Sequence, residues 1–230
     1  MPAGWSLADG SLVRVHLAER HGDGGRSTRD IDVILDVRAH PWSIDKMVTV
    51  LRDAGFAPDG LNPSGHDHRW VRGDAQIDVL TPDFLGPNLL DRKFPGLGKL
   101  LPTRGAQFGL HRSERVRVRI DDFELDANRP DLVGALYEKC SALLVPLDTD
   151  KERHLTDIGL LTELVAPDDR RQLLALRPRE KQRVIRGLRR ASVLHGIDAR
   201  RVFLMGRLEE LLQNSIDPHP PHRRHPHARQ

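Results

Sequence analysis

The sequence predicts a mixed α/β front half followed by an all-helical back half, an α+β arrangement built on a small mixed sheet. Three observations carry this. Ile31 to Val37 (IDVILDV) is an apolar, β-branched run bounded by loop residues, the pattern of a buried strand. His68–Arg72 and Ala75–Leu80 read as two strands joined at Gly73-Asp74, a hairpin signal. After Pro130 the texture changes, and helical periodicity runs over 131–145, 152–165, 168–176, 179–195 and 199–213.

The elements follow in order. Ser11 to Arg20 has apolar residues at Leu12, Val15 and Leu17 with charge between them, which predicts a short helix. Gly22, Gly24 and Gly25 then mark a loop. Ser43 to Ala54 predicts an amphipathic helix, with Ser43 as its N-cap and Gly55 as its stop. The order expected for this half is helix, strand, helix, hairpin. Pro82 to Gly109, rich in Gly and Pro, is expected to form a long ordered loop that either covers a site or is variable surface. Val116–Ile120 and Phe123–Leu125 predict a second hairpin turning at Asp121-Asp122. The expected divisions are an α/β core over 1–128, a helical domain over 129–215, and a disordered His-, Pro- and Arg-rich tail over 216–230.

The 230 residues balance 36 basic against 33 acidic side chains, so the formal charge of +3 does not by itself mark a nucleic-acid binder. Only 4% of the chain is aromatic, and no base-stacking surface stands out. A single cysteine, Cys140, excludes an intramolecular disulfide framework, and its apolar surroundings predict a buried, inert thiol. No apolar run approaches a bilayer's thickness, and the N-terminus lacks a basic-then-apolar signal pattern. A cytoplasmic protein with no membrane contact is expected.

The sharpest chemical feature is Asp30-Ile31-Asp32 at the mouth of a strand. Residues two apart in a strand share a face, so both carboxylates can converge on one point. Mg²⁺ (or Mn²⁺) suits such a pair, since it takes few carboxylates and keeps waters and substrate phosphates. A strand opening on a solvated turn would give the same dipeptide pattern. Asp78 adds weight, because a lone carboxylate inside Ile77-Asp78-Val79-Leu80 would be costly if buried. Beside the first strand it becomes a third metal ligand or a base for an incoming hydroxyl. The alternation Gln76-Asp78 also permits an outward-facing residue. Gly10-Ser11, at the start of the first helix, is suited to present backbone N–H groups to a phosphate, and an N-capping Ser11 accounts for it equally well.

Taken together, Gly10-Ser11, then Arg26-Ser-Thr28-Arg-Asp30-Ile-Asp32-Val, then Gln76-Ile-Asp78-Val-Leu, resemble the polymerase-beta-type nucleotidyltransferase superfamily. Within it they resemble the AbiEii/AbiGii toxin-like group and its actinobacterial relatives. The likeness continues through His68-Arg69-Trp70, Gly105-Ala-Gln107, Arg112-Ser-Glu114-Arg115, Lys139, and His154 with Asp157, over roughly residues 7–166. It implies that Asp30 and Asp32 bind Mg²⁺ with Asp78 in support. It also implies that Gly10, Ser11, Arg26 and Thr28 position a nucleoside triphosphate, that Lys139 contacts the nucleotide, and that Asp157 belongs to a later helical motif. Asp9 stands where that family usually has an apolar residue. Read from the residues alone, Lys139 is a solvated or snorkelling lysine, Asp157 a helix-start acid, and Arg26 and Thr28 loop residues.

The expectation is a metal-dependent nucleotidyltransferase moving a nucleotidyl group from an NTP to a tRNA, a protein or a small molecule. A toxin with a cognate antitoxin partner falls within it. The alternative is a non-catalytic nucleotide- or partner-binding module on a degenerate fold. His66 and His68 alternate across an extended segment, but no Cys or third fixed His accompanies them as a transition-metal site requires. The basic run 179–190 would either touch RNA phosphates or form a solvated helix face.

Overall fold

The computed structural model describes residues 4–20, 30–62, 65–83, 85–86, 98–146, 151–193 and 198–216. Among them are eight helices, a six-stranded mixed sheet and a separate two-stranded ribbon, with the helices gathered toward the C-terminus. The mixed α/β class with a helical back is as the sequence predicts.

The first element departs from the expected order. A four-residue strand, β1 (Trp5–Ala8), precedes helix α1 (Asp9–Glu19) and pairs antiparallel with β2 (Asp30–Leu35). Its burial alternates, with Ser6 and Ala8 inward, and a small polar residue on the inner face hides the strand from a hydrophobicity reading. Helix α2 (Ser43–Asp53) covers one face of the sheet. The expected Ser43 cap is not formed: Trp42 is the N-cap residue, already in helical conformation. The chain enters from a turn in which Ser43 N–H donates to the His40 carbonyl, so Ser43 lies one position inside the helix. The C-terminal stop is as expected. Gly55 adopts φ +80°, its N–H donates to Arg52 and that of Phe56 to Leu51, the paired bonds of a Schellman ending.

A short strand, β3 (Ala57–Pro58), leads to the predicted hairpin, β4 (Arg69–Arg72) and β5 (Ala75–Pro82). The spatial order is β1-β2-β5-β4-β3, with β2 and β5 parallel and adjacent. The stretch expected to be one long loop contains β6 (Leu101–Thr103), parallel to the end of β5, and helix α3 (Ala106–His111). A three-residue strand centred on Pro102 is too short to show alternation, and at a sheet edge the proline costs no ladder bond. Residues 84 and 87–97 of that stretch lie outside the described residues.

The ribbon is β7 (Ser113–Ile120) with β8 (Phe123–Pro130), turning at Asp121-Asp122 as predicted but extending farther down both strands. Then follow α4 (Leu132–Leu143), α5 (Lys151–Glu163), α6 (Pro167–Leu174), α7 (Pro178–Ser192) and α8 (Ala199–Ile216). The largest core joins these helices to α1 through Leu12, Val13 and Leu17, so the first helix packs with the C-terminal helices. Arg129 of β8, 5% exposed, ties α1 to the ribbon by donating to Glu19 at 2.6 and 3.0 Å and to Glu114 of β7 at 2.6 Å. The predicted tail falls outside the described residues, apart from Ile216, which closes α8. Three charged positions are more buried than the residue-level reading allows: Lys139 is 2% exposed and Lys181 7%, and Asp157 is fully buried in mid-helix and not at a helix start.

Candidate metal and phosphate site

The two faces of the sheet differ in chemistry. Val33, Leu35, Trp70 and Val79 point toward α2 and form an apolar cluster. The other face carries Asp30, Asp32 and Ile34 from β2 and Asp78 and Leu80 from β5, by the two-residue period of a strand. Ile34 and Leu80 pack with Ala8 and Ala106, which closes the middle of this face against α3. The acids occupy what remains beside it.

Parallel register places Asp32 directly opposite Asp78, with Asp30 one same-face step away. The three carboxylates each bring an oxygen within 4.8 Å of the others. Asp32 and Asp78 are 7% and 6% exposed. Asp78 is held in place: the Arg69 guanidinium donates to both its oxygens at 3.0 Å, and Gln76 Nε2 donates to Oδ1 at 3.3 Å. His68 Nε2 lies 3.9 Å from Oδ2. Asp32 is treated differently. Its Oδ2 is buried with no hydrogen-bond partner among the described residues. Burial, then the charges of Asp9, Asp30 and Asp78, push its carboxyl well above the ordinary range, with Lys139 opposing.

Such a donor set fits a hard divalent cation. Three carboxylates on two adjacent strands supply oxygen ligands, and an orphaned buried oxygen is a group that a cation satisfies. Ser11 lies alongside, its Oγ donating to the Asp30 carbonyl at 3.2 Å, so the start of α1 abuts the acid pair. The N-cap residue of α1 is Ala8, with no side-chain cap, which leaves the first-turn N–H groups without that partner. Arg26 and Thr28 lie outside the described residues.

A second group of charges adjoins the first. Lys139, 2% exposed, is bonded to Asp9 and lies 2.6 Å from Asp157. Burial opposes its charge, but Asp9 and Asp157 more than offset this and raise its pKa. Arg153 and His154 each approach Asp9 at 3.8 Å. Burial acts to raise the Asp9 carboxyl, yet Lys139, Arg153 and His154 together hold it far below the usual carboxylate range. Asp9, His154 and Asp157 also bring ligand atoms within 4.8 Å of one another, but the Lys139 ammonium between the two acids already supplies the positive charge.

The structure thus brings Ser11, Asp30, Asp32 and Asp78 together, and sets Lys139 and Asp157 in an ion cluster with Asp9. Sequence reasoning missed Asp9 and Arg153 as members. An acid directly before Gly10-Ser11, where the resembled family usually has an apolar residue, was the available signal for Asp9. Glu138 gave none. It is 7% exposed, its Oε1 lacks a hydrogen-bond partner among the described residues, and burial pushes its carboxyl well up. His66 and His68 belong to neither metal-capable group among the described residues.

No protein-family model matches this chain, and no curated protein or solved structure compared with it matches either. No described helix is long and apolar enough to cross a membrane.

Proposed function

We propose that the protein is a metal-dependent nucleotidyltransferase that moves a nucleotidyl group from a nucleoside triphosphate to a hydroxyl or phosphate acceptor, with pyrophosphate leaving. The observation that carries the reading is Asp32: a buried carboxylate with an orphaned oxygen, flanked by Asp30 and Asp78 on one sheet face. Asp30, Asp32 and Asp78 hold the cation, and Mg²⁺ supplies neutralisation of charge on the transferring phosphate and leaving group. Arg69 and Gln76 fix the Asp78 carboxylate in orientation. The first turn of α1, at Gly10 and Ser11, offers N–H groups to phosphate oxygens. The acceptor is a tRNA end, a protein side chain or a small molecule, and a toxin whose activity a cognate antitoxin restrains fits the same chemistry.

The experiment is incubation with Mg²⁺, each labelled nucleoside triphosphate in turn, and total cellular RNA or lysate. Label transferred to RNA or protein, and lost in Asp32→Asn, is the expected result. A second reading, a binding module without turnover, is favoured by the ion pairs that occupy Asp78 and Lys139. Metal-dependent nucleotide binding without any labelled product would select it, and absence of both binding and transfer would remove the nucleotide from the account.

A further inference from the structure

Lys139, Arg153 and His154 come from α4 and α5, and all three converge on one carboxylate from the sheet half, Asp9. That carboxylate sits at the junction of β1 and α1, immediately after Ala8, which is paired across the ladder with Asp32. Its backbone has φ +46°, in the left-handed region that side chains rarely adopt and that Asp tolerates better than most. The chain therefore takes a sparsely populated conformation at a residue whose side chain enters the cationic cluster. The cluster lies beside the acids proposed to hold the cation, since Asp9 directly follows Ala8, the ladder partner of Asp32.

We propose that Asp9 is an internal anion: in the ligand-free protein it occupies a phosphate-binding cradle formed by Lys139, Arg153 and His154, and a phosphate group must displace it to bind. The proposal rests on the nucleotidyltransferase reading and adds to it a self-occupied anion site that lowers resting affinity. The chemistry is that of exchange. A phosphate oxygen and a carboxylate oxygen accept the same bonds from ammonium, guanidinium and imidazole N–H groups, so a phosphate competes with Asp9 for Lys139 while Asp157 holds the ammonium from its other side. Apparent affinity is then the intrinsic affinity multiplied by the fraction of molecules whose cradle is open. Asp157 is fully buried at Lys139's other side, so the ammonium stays charged when Asp9 leaves.

Calorimetric titration of the full chain with inorganic triphosphate and with each Mg²⁺–nucleoside triphosphate tests this. Asp9→Asn and Asp9→Gly, the second of which also suits the positive φ, are expected to tighten triphosphate binding by roughly tenfold, the gain from opening a cradle filled about 90% of the time. The gain must vanish in a Lys139→Met background, because it arises from vacating Lys139. An equal gain in that background would reflect removal of a negative charge alone and would overturn the proposal, as would unchanged or weaker binding. If the Asp9 variants do not fold, the carboxyl carbon resonance of Asp9 in the wild-type protein decides. It should shift on saturation with triphosphate, and a fixed resonance under saturation refutes displacement. Wild type and variants that all fail to bind any triphosphate would refute the nucleotidyltransferase reading and this inference together, whereas equal binding by wild type and variants refutes the inference alone.

Discussion

Replacing Lys139 by methionine keeps most of the side-chain volume and removes the charge, which isolates the ion cluster from packing. In the native protein the Lys139 side chain is 2% exposed, Asp157 is fully buried and Asp9 is partly buried, its side chain 16% exposed. Without Lys139 the carboxylates of Asp9 and Asp157 are left within a low-dielectric interior with their shared counter-charge gone. Breaking a buried pair in this way costs about 3–5 kcal/mol, against about 0–1 kcal/mol for a surface ion pair. Lys139→Ala should cost more, because deleted buried methylenes contribute about 0.8 kcal/mol each. A stability of about 5–15 kcal/mol leaves the variant folded but measurably weakened.

Urea unfolding at neutral pH supplies the number, and acid supplies a check on its origin. The Asp9 carboxyl is held far below its ordinary range, so its contribution is present above the unfolded carboxylate pKa and is lost only as pH falls through the depressed folded value. Wild-type protein should therefore keep this contribution at mildly acidic pH, while Lys139→Met should gain stability there as its stranded carboxylates protonate. A loss below about 1 kcal/mol at neutral pH would refute the argument, since it would place Lys139 among solvated surface cations.

Asp30→Asn with Asp32→Asn should abolish Mg²⁺-dependent nucleotide binding with the fold intact by circular dichroism; calorimetry showing unchanged affinity would dismiss the acid site. In metal-free buffer Asp32→Asn alone should match or exceed wild-type stability, because it removes a carboxyl that burial and three neighbouring acids make costly to ionise, and Mg²⁺ should raise the melting temperature of the wild type only. His16 is fully buried beside the Pro130 carbonyl at 3.0 Å, and burial, with Arg129 nearby, pushes it down to about 3 from 6.5. The unfolded chain then binds the extra proton between those values, so wild-type stability should fall by about 1.4 kcal/mol per pH unit below 6.5, a slope that His16→Gln should flatten in urea titrations. Cys140, fully buried with its thiol raised by burial, should resist thiol reagents until denaturant is added.

The legible part of this site was the part written in local pattern. Two carboxylates two residues apart at the start of an apolar strand share a face by the two-residue period, a third stands in a neighbouring apolar strand, and the register of β2 on β5 brings them together. Lys139 and Asp157 could be singled out only by resemblance, because in isolation each is an ordinary helix residue. Their burial is a tertiary fact, produced when α4 and α5 pack against α1. Strand β1 and helix α3 escaped for a different reason: four and six residues are too few to establish a period, and Ser6 and Gly105 supply no hydrophobic signal. The positive φ at Asp9 had no sequence cue beyond an acid beside a glycine.

The charges around these acids do not balance residue by residue, and the place where they fail to balance is informative. Asp78 has Arg69, and Asp9 and Asp157 share Lys139, with Arg153 and His154 turned toward Asp9. Each of these acids comes with a cation from a different strand or helix, so their charge is met within the fold. Asp32 is placed at the centre of them, buried, facing Asp78 across the ladder, and one of its oxygens meets no donor among the described residues. A sequence selected for stability alone would replace such a group with an asparagine or an apolar residue, since an uncompensated buried carboxyl only costs. On the metal-dependent reading proposed above, the arrangement becomes favourable when a cation arrives from outside the chain, and the three carboxylates would be its ligands.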